Sequence, residues 1–106
     1  MKINLNDREI EISFKFRSEL LFEDVMEHSF SGASIKEWVT YLFCTIIANT
    51  EDGFVSFDDF LVWLDDNMDV FYEFIEWYTH LQENIITLRT QKNLENSKKK
   101  KGTKKK

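Results

Sequence analysis

The sequence predicts an α+β fold: an N-terminal β-hairpin packed on a bundle of about four helices, followed by a disordered basic tail. Three observations carry this. Residues 3–14 alternate apolar and polar side chains with period two. Later segments repeat apolar residues at helical spacing, and Ser-x-x-acid caps open two of them. From residue 93 onward Leu94 is the one large apolar side chain, against seven lysines.

In the hairpin, residues 2–16, Ile3 and Leu5 share a face, Asn6-Asp7-Arg8 turns, and Ile10, Ile12 and Phe14 continue the apolar side. A lone hairpin is marginal in water, so helices must cover that face. Ser18 is placed to cap a first helix over about 19–28, with Leu21, Phe22 and Val25 inward. Residues 29–33 read as a loop. Ser34 with Glu37 is a capping box opening a helix over 35–48. That helix is apolar nearly all round in its second half, which makes it the central element.

A turn-rich connection, 49–55, leads to Ser56 and Asp59, which cap a helix over 57–65 with Phe57, Phe60, Leu61 and Leu64 inward. Asp66-Asn67 breaks the run. A fourth helix is expected over about 68–90. Asp69, Glu73, Glu76, His80 and Glu83 form its polar stripe, with Phe71, Phe74 and Ile75 among the residues opposite. The body is thus one globular domain, 1–92, and the tail is 93–106, too polar to bury anything.

Charge divides the chain. Residues 1–88 hold 5 Lys/Arg against 18 Asp/Glu, and residues 89–106 hold 9 against 1, so a body of −13 carries a tail of +8. An acidic body repels phosphates, which argues against nucleic acid as its partner. The tail lysines, Lys98, Lys99, Lys100, Lys101, Lys104, Lys105 and Lys106, can attract phosphates, but no aromatic among them stacks on bases. No run of about 18 apolar residues occurs, so no membrane span is expected. The start lacks a signal-peptide apolar region, and Cys44 has no second cysteine to pair with. The expected location is the cytoplasm.

No enzyme signature is present: no phosphate loop, nucleophile elbow or paired-cysteine zinc pattern. The carboxylates lie in stripes opposite apolar faces, as on a solvated helix. No cofactor or metal is expected. The nearest metal match is the segment from Asp52-Gly53 to Asp59, which resembles the second half of an EF-hand loop. With Gly53 as position six, position one is Ala48, which offers no side-chain oxygen, and position twelve is Asp59 where a bidentate Glu is usual. Sixteen aromatic rings in so small a body leave two readings open: a core built from Phe, or surplus rings at a partner interface. On the second reading Trp63, Phe71, Phe74 and Trp77, at the edges of helical stripes, are the candidate partner-binding residues.

The order of segments carries a family resemblance. The hairpin Ile3–Ile12 runs into Phe14-Lys15-Phe16-Arg17 and a short helix with Phe22-Glu23. Glu37-Trp38, Tyr41-Leu42-Phe43-Cys44, Ser56-Phe57-Asp58-Asp59-Phe60, Trp63-Leu64-Asp65-Asp66-Asn67 and Glu73-Phe74 with Glu76-Trp77 follow. Across residues 2–90 this resembles the small tail assembly chaperones of long-tailed phages, in the prophage-borne form of gut bacteria. The resemblance implies a non-enzymatic protein of the host cytoplasm, absent from the finished virion. Its implied partner is the helical, aggregation-prone tape measure protein, which tail-tube subunits later uncover. Self-association stays open, as do two other classes: a degenerate EF-hand-like calcium or protein-binding module, and a small protein touching nucleic acid through its lysines. The family often extends its product by a ribosomal frameshift. Lysine codons are A-rich, so the lysine run reads either as a slippery site or as a plain basic tail.

Overall fold

A two-residue reversal starts the fold. Asn6 and Asp7 both adopt left-handed backbone, φ 54° and 58°, the conformation a type I′ hairpin turn requires and one that Asn and Asp tolerate well. In the computed structural model, which describes residues 1–84, β1 (Lys2–Leu5) pairs antiparallel with β2 (Arg8–Glu11), Ile3 opposite Ile10 and Leu5 opposite Arg8. Arg8 therefore belongs to the strand and not to the turn. The Ile12 N–H donates to the Met1 carbonyl at 2.7 Å, extending the pairing by one residue. Ile3, Leu5, Ile10 and Ile12 are all buried, as the alternation requires.

The hairpin ends before the expected residue 16. Ser13 is held by Asn49, whose Oδ1 accepts from the Ser13 N–H and hydroxyl and whose Nδ2 donates to the Ser13 carbonyl. The chain turns away there, and α1 (Phe16–Met26) begins three residues earlier than the Ser18 cap predicted. Lys15 occupies the cap position without a side-chain bond. Ser18 instead lies one turn before Phe22, and these two are the buried residues of α1. Val25, expected inward, is exposed in consequence. Glu27 closes the helix in the left-handed region, its N–H donating to the Glu23 carbonyl at 2.8 Å.

The next two helices match their caps. In α2 (Ile35–Ala48) the Ser34 hydroxyl accepts from the Glu37 N–H, and in α3 (Phe57–Asp65) the Ser56 hydroxyl accepts from the Asp59 N–H. The second half of α2 is buried on every side from Cys44 to Ala48, which makes it the core element. A fourth helix, α4, begins at Met68 and is described to residue 84. Its expected end near residue 90, the domain end at 92 and the lysine tail lie outside the described residues.

Residues 1–75 form one compact unit, and a second begins at residue 76. In the first unit the rings gather into two clusters. Phe22, Phe30, Trp38, Tyr41 and Phe74 form one, with Phe30 to Tyr41 at 4.3 Å and Phe30 to Trp38 at 4.9 Å between centroids. Phe43, Phe57, Phe60 and Trp63 form the other. Each such pair adds about 0.5–1.5 kcal/mol beyond area burial. Phe22, Tyr41, Phe60, Phe71 and Phe74 are core, while Phe16, Phe57 and Tyr72 are exposed and the other rings are half-buried. In the second unit His80 lies 3.5 Å from Glu83 and 4.0 Å from Glu76, all exposed on one helical face. No helix among the described residues is long and apolar enough to cross a membrane.

Candidate functional site: an apolar groove

Three elements of the first unit leave one apolar groove uncovered. The first half of α2 repeats Ile35, Val39 and Phe43 every fourth residue, a second apolar stripe beside its buried face. The left-handed stop at Glu27 ends α1 with Val25 and Met26 against this stripe. The Ser56 cap fixes the start of α3, which places Phe57 and Leu61, one turn apart, on the opposite wall. The groove encloses about 720 Å³. Its rim residues are open to water: Ile35 is 74% exposed, Val25 62% and Phe57 40%. Phe57, expected inward, meets Phe43 edge-on at 5.2 Å and otherwise faces the groove.

Lys36 is the one charged residue lining it. Asp24, Glu27 and Asp58 flank lining residues in the chain, are exposed, and have no ion pair among the described residues. Among the described residues the first unit has three side-chain ion pairs, Lys2–Glu9, Arg8–Glu51 and Arg17–Asp52. They occupy three of its five Lys/Arg and leave most of its sixteen Asp/Glu without a cation.

No family model, curated protein or solved structure matches this chain. The functional reading therefore stands on the residues themselves.

The groove offers apolar contact and no reacting groups. Cys44 is buried in α2, and desolvation pushes its thiol up to about 11, so it stays protonated near neutral pH. Glu37 is also buried, yet its carboxyl titrates below the ordinary range. The Ser31 backbone N–H is the main cause, against the opposing effect of burial, and the Ser31 hydroxyl, the Gly32 N–H and nearby His28 assist. Glu37 thus anchors the 31–32 loop and does not reach back to complete the capping box.

Two of the oxygen-bearing side chains in the segment likened to a calcium loop are engaged in the fold. Ala48 is buried at the end of α2. The Thr50 hydroxyl donates to the Ile46 carbonyl at 2.7 Å, and Asp52 pairs with Arg17 at 2.6 Å. Among the described residues no group of three or more His, Cys, Asp or Glu is placed to hold a metal ion.

Two of the four candidate partner residues lie in the core. Phe71 and Phe74 are core residues, Phe74 fully buried near Trp38 and Tyr41. This corrects their assignment to a partner surface: both are buried, and α2 rings cover Phe74. Trp63 is half-buried, stacks on Phe60 at 6.1 Å and donates from Nε1 to the Asn4 carbonyl. Trp77 belongs to the second unit and is half-buried. The sequence reading places Val25 inward and gives Ile35 no role, so it misses both as exposed groove residues. The available signal was the spacing of Ile35, Val39 and Phe43, which is one apolar stripe more than a half-covered helix needs.

Proposed function

We propose that this protein is a non-enzymatic tail assembly chaperone of the long-tailed phage type, and that its groove holds a helical stretch of the tape measure protein during tail assembly. One observation carries the reading: an open apolar groove of about 720 Å³ between α1, α2 and α3, with Val25, Ile35 and Phe57 exposed on its rim. Apolar grooves between helices receive amphipathic helices through anchors at one-turn spacing. The segment order over residues 2–90 supports the family, and the acidic body supports a role in keeping a loaded complex soluble. The chaperone acts in the host cytoplasm and leaves before the virion is complete.

The test is co-expression with the tape measure protein of the same phage genome. The proposal expects the tape measure protein to become soluble and to co-purify with the chaperone. It expects that Ile35→Ser and Val25→Ser, at exposed positions, abolish co-purification without changing the melting temperature. A tape measure protein that stays insoluble beside a folded wild-type chain sinks the proposal.

A further inference from the structure

We infer that the groove selects a cationic amphipathic helix, one with an apolar stripe flanked by Lys or Arg. The inference deepens the preceding proposal and rests on its reading of the groove as a helix-docking site. The apolar part follows from the walls: Val25, Ile35 and Phe57 are exposed side chains around a cleft of about 720 Å³. The charge part follows from the acidity of the surrounding unit, which outweighs Lys36, the one charged side chain among the lining residues. Asp24, Glu27 and Asp58 are exposed chain neighbours of lining residues and have no ion pair among the described residues. The surrounding unit, residues 1–75, carries 5 Lys/Arg against 16 Asp/Glu. A field of that sign steers a cationic helix in and repels an acidic one.

Charge and apolar content decide against two other occupants. A second copy would bring its own acidic unit to another acidic unit. The basic segment of the chain, residues 89–106, has the right sign but only Leu94 as a large apolar anchor. An external helix that combines both features fits both observations.

The experiment uses the full chain and three fluorescein-labelled synthetic 18-residue peptides: a Leu/Lys amphipathic helix, the same composition scrambled to remove the stripe, and a Leu/Glu helix with the stripe intact. Binding is read by fluorescence anisotropy, and protein self-association by sedimentation. The Leu/Lys helix is expected to bind at least about tenfold more tightly than either control. Ile35→Ser and Val25→Ser are each expected to weaken it about tenfold while the circular dichroism melt is unchanged. Asp24→Asn with Asp58→Asn is expected to lower affinity and flatten its salt dependence. Equal binding of the scrambled peptide overturns the inference, because attraction to acids alone then explains the signal. Equal binding of the Leu/Glu helix overturns the charge selection. Self-association abolished by Ile35→Ser, with no peptide binding, makes a second copy the occupant and overturns it too. Co-purification of the tape measure protein without Leu/Lys binding defeats this inference and leaves the preceding proposal standing. Leu/Lys binding without co-purification does the reverse.

Discussion

The indole Nε1 of Trp63 donates to the backbone carbonyl of Asn4 at 3.0 Å, joining α3 to β1 across 59 residues. Asn4 is where such a bond is needed. Met1 and Ile12 exchange both main-chain bonds, so by alternation Ile3 and Leu5 also bond inward to β2, and the polar groups of Lys2 and Asn4 face the open edge. Unpaired edges invite pairing with other chains. Trp63 occupies one edge acceptor and lays its ring beside the strand.

Trp63→Phe keeps the stacking surface on Phe60 and removes only the N–H donor. A loss of about 0.5–1.5 kcal/mol is expected in urea denaturation, the ordinary net worth of one hydrogen bond. Groove-dependent binding should not change. A large binding defect in a fully folded Trp63→Phe chain would return Trp63 to the partner surface.

Phe74 and Tyr72 lie two residues apart on α4 and face opposite environments, one fully buried and one exposed. Phe74→Ala is expected to cost about 3–5 kcal/mol as a core cavity, and Tyr72→Ser to stay within about 0.5 kcal/mol. Chemical denaturation of the two variants checks this. Equal, small losses would contradict the burial of Phe74.

Glu37 makes stability depend on pH. Its folded carboxyl is held below the ordinary glutamate range, chiefly by the Ser31 N–H. Folding therefore favours the ionised form. The contribution is complete above the unfolded pKa, near 4.3, and is lost as pH falls through the lower folded value. Glu37→Gln should be less stable than wild type at pH 7, and the gap should narrow as pH falls below about 4. Denaturation curves at the two pH values test this, and a gap that widens in acid contradicts it.

Cys44 serves as a reporter of opening. Burial keeps the thiol protonated up to about 11, so native protein at pH 8 should resist a thiol-specific reagent and react promptly in urea. The native labelling rate then measures how often α2 is exposed. Immediate labelling of folded protein would show that the α2 core is open.

Local chemistry explains which parts were legible. Ser34 and Ser56 each have an acidic residue three positions on and a strong apolar run behind, and both helices start where those caps put them. Ser18 misled because it has Leu21 and not an acid three positions on, so it lacked the second half of the signal and is instead a small buried residue one turn before Phe22. Lys15 caps α1 with backbone alone and leaves no trace in sequence. Phe71 and Phe74 were misplaced because helical periodicity gives a stripe but not what covers it. The rings that cover Phe74 lie on α2, more than thirty residues earlier. The groove was hidden for the converse reason: an exposed Ile35 and a buried Ile46 are alike until neighbours are placed.

The joining of Ser13 to Asn49 has a consequence in chain entropy. Arg8–Glu51 and Arg17–Asp52 reach the same four-residue stretch, and the three links span 43, 36 and 35 residues. The first link to form closes a long loop and bears the largest share of the ordering cost. The others then close only the short segments between 8, 13 and 17 on one side and 49, 51 and 52 on the other. At about 0.6 kcal/mol per doubling of loop length, closing about seven residues instead of about 36 costs about 1.4 kcal/mol less, so each later link is cheaper than the first. The seam therefore behaves as one latch, and breaking a single tooth leaves the hairpin fastened to the end of α2.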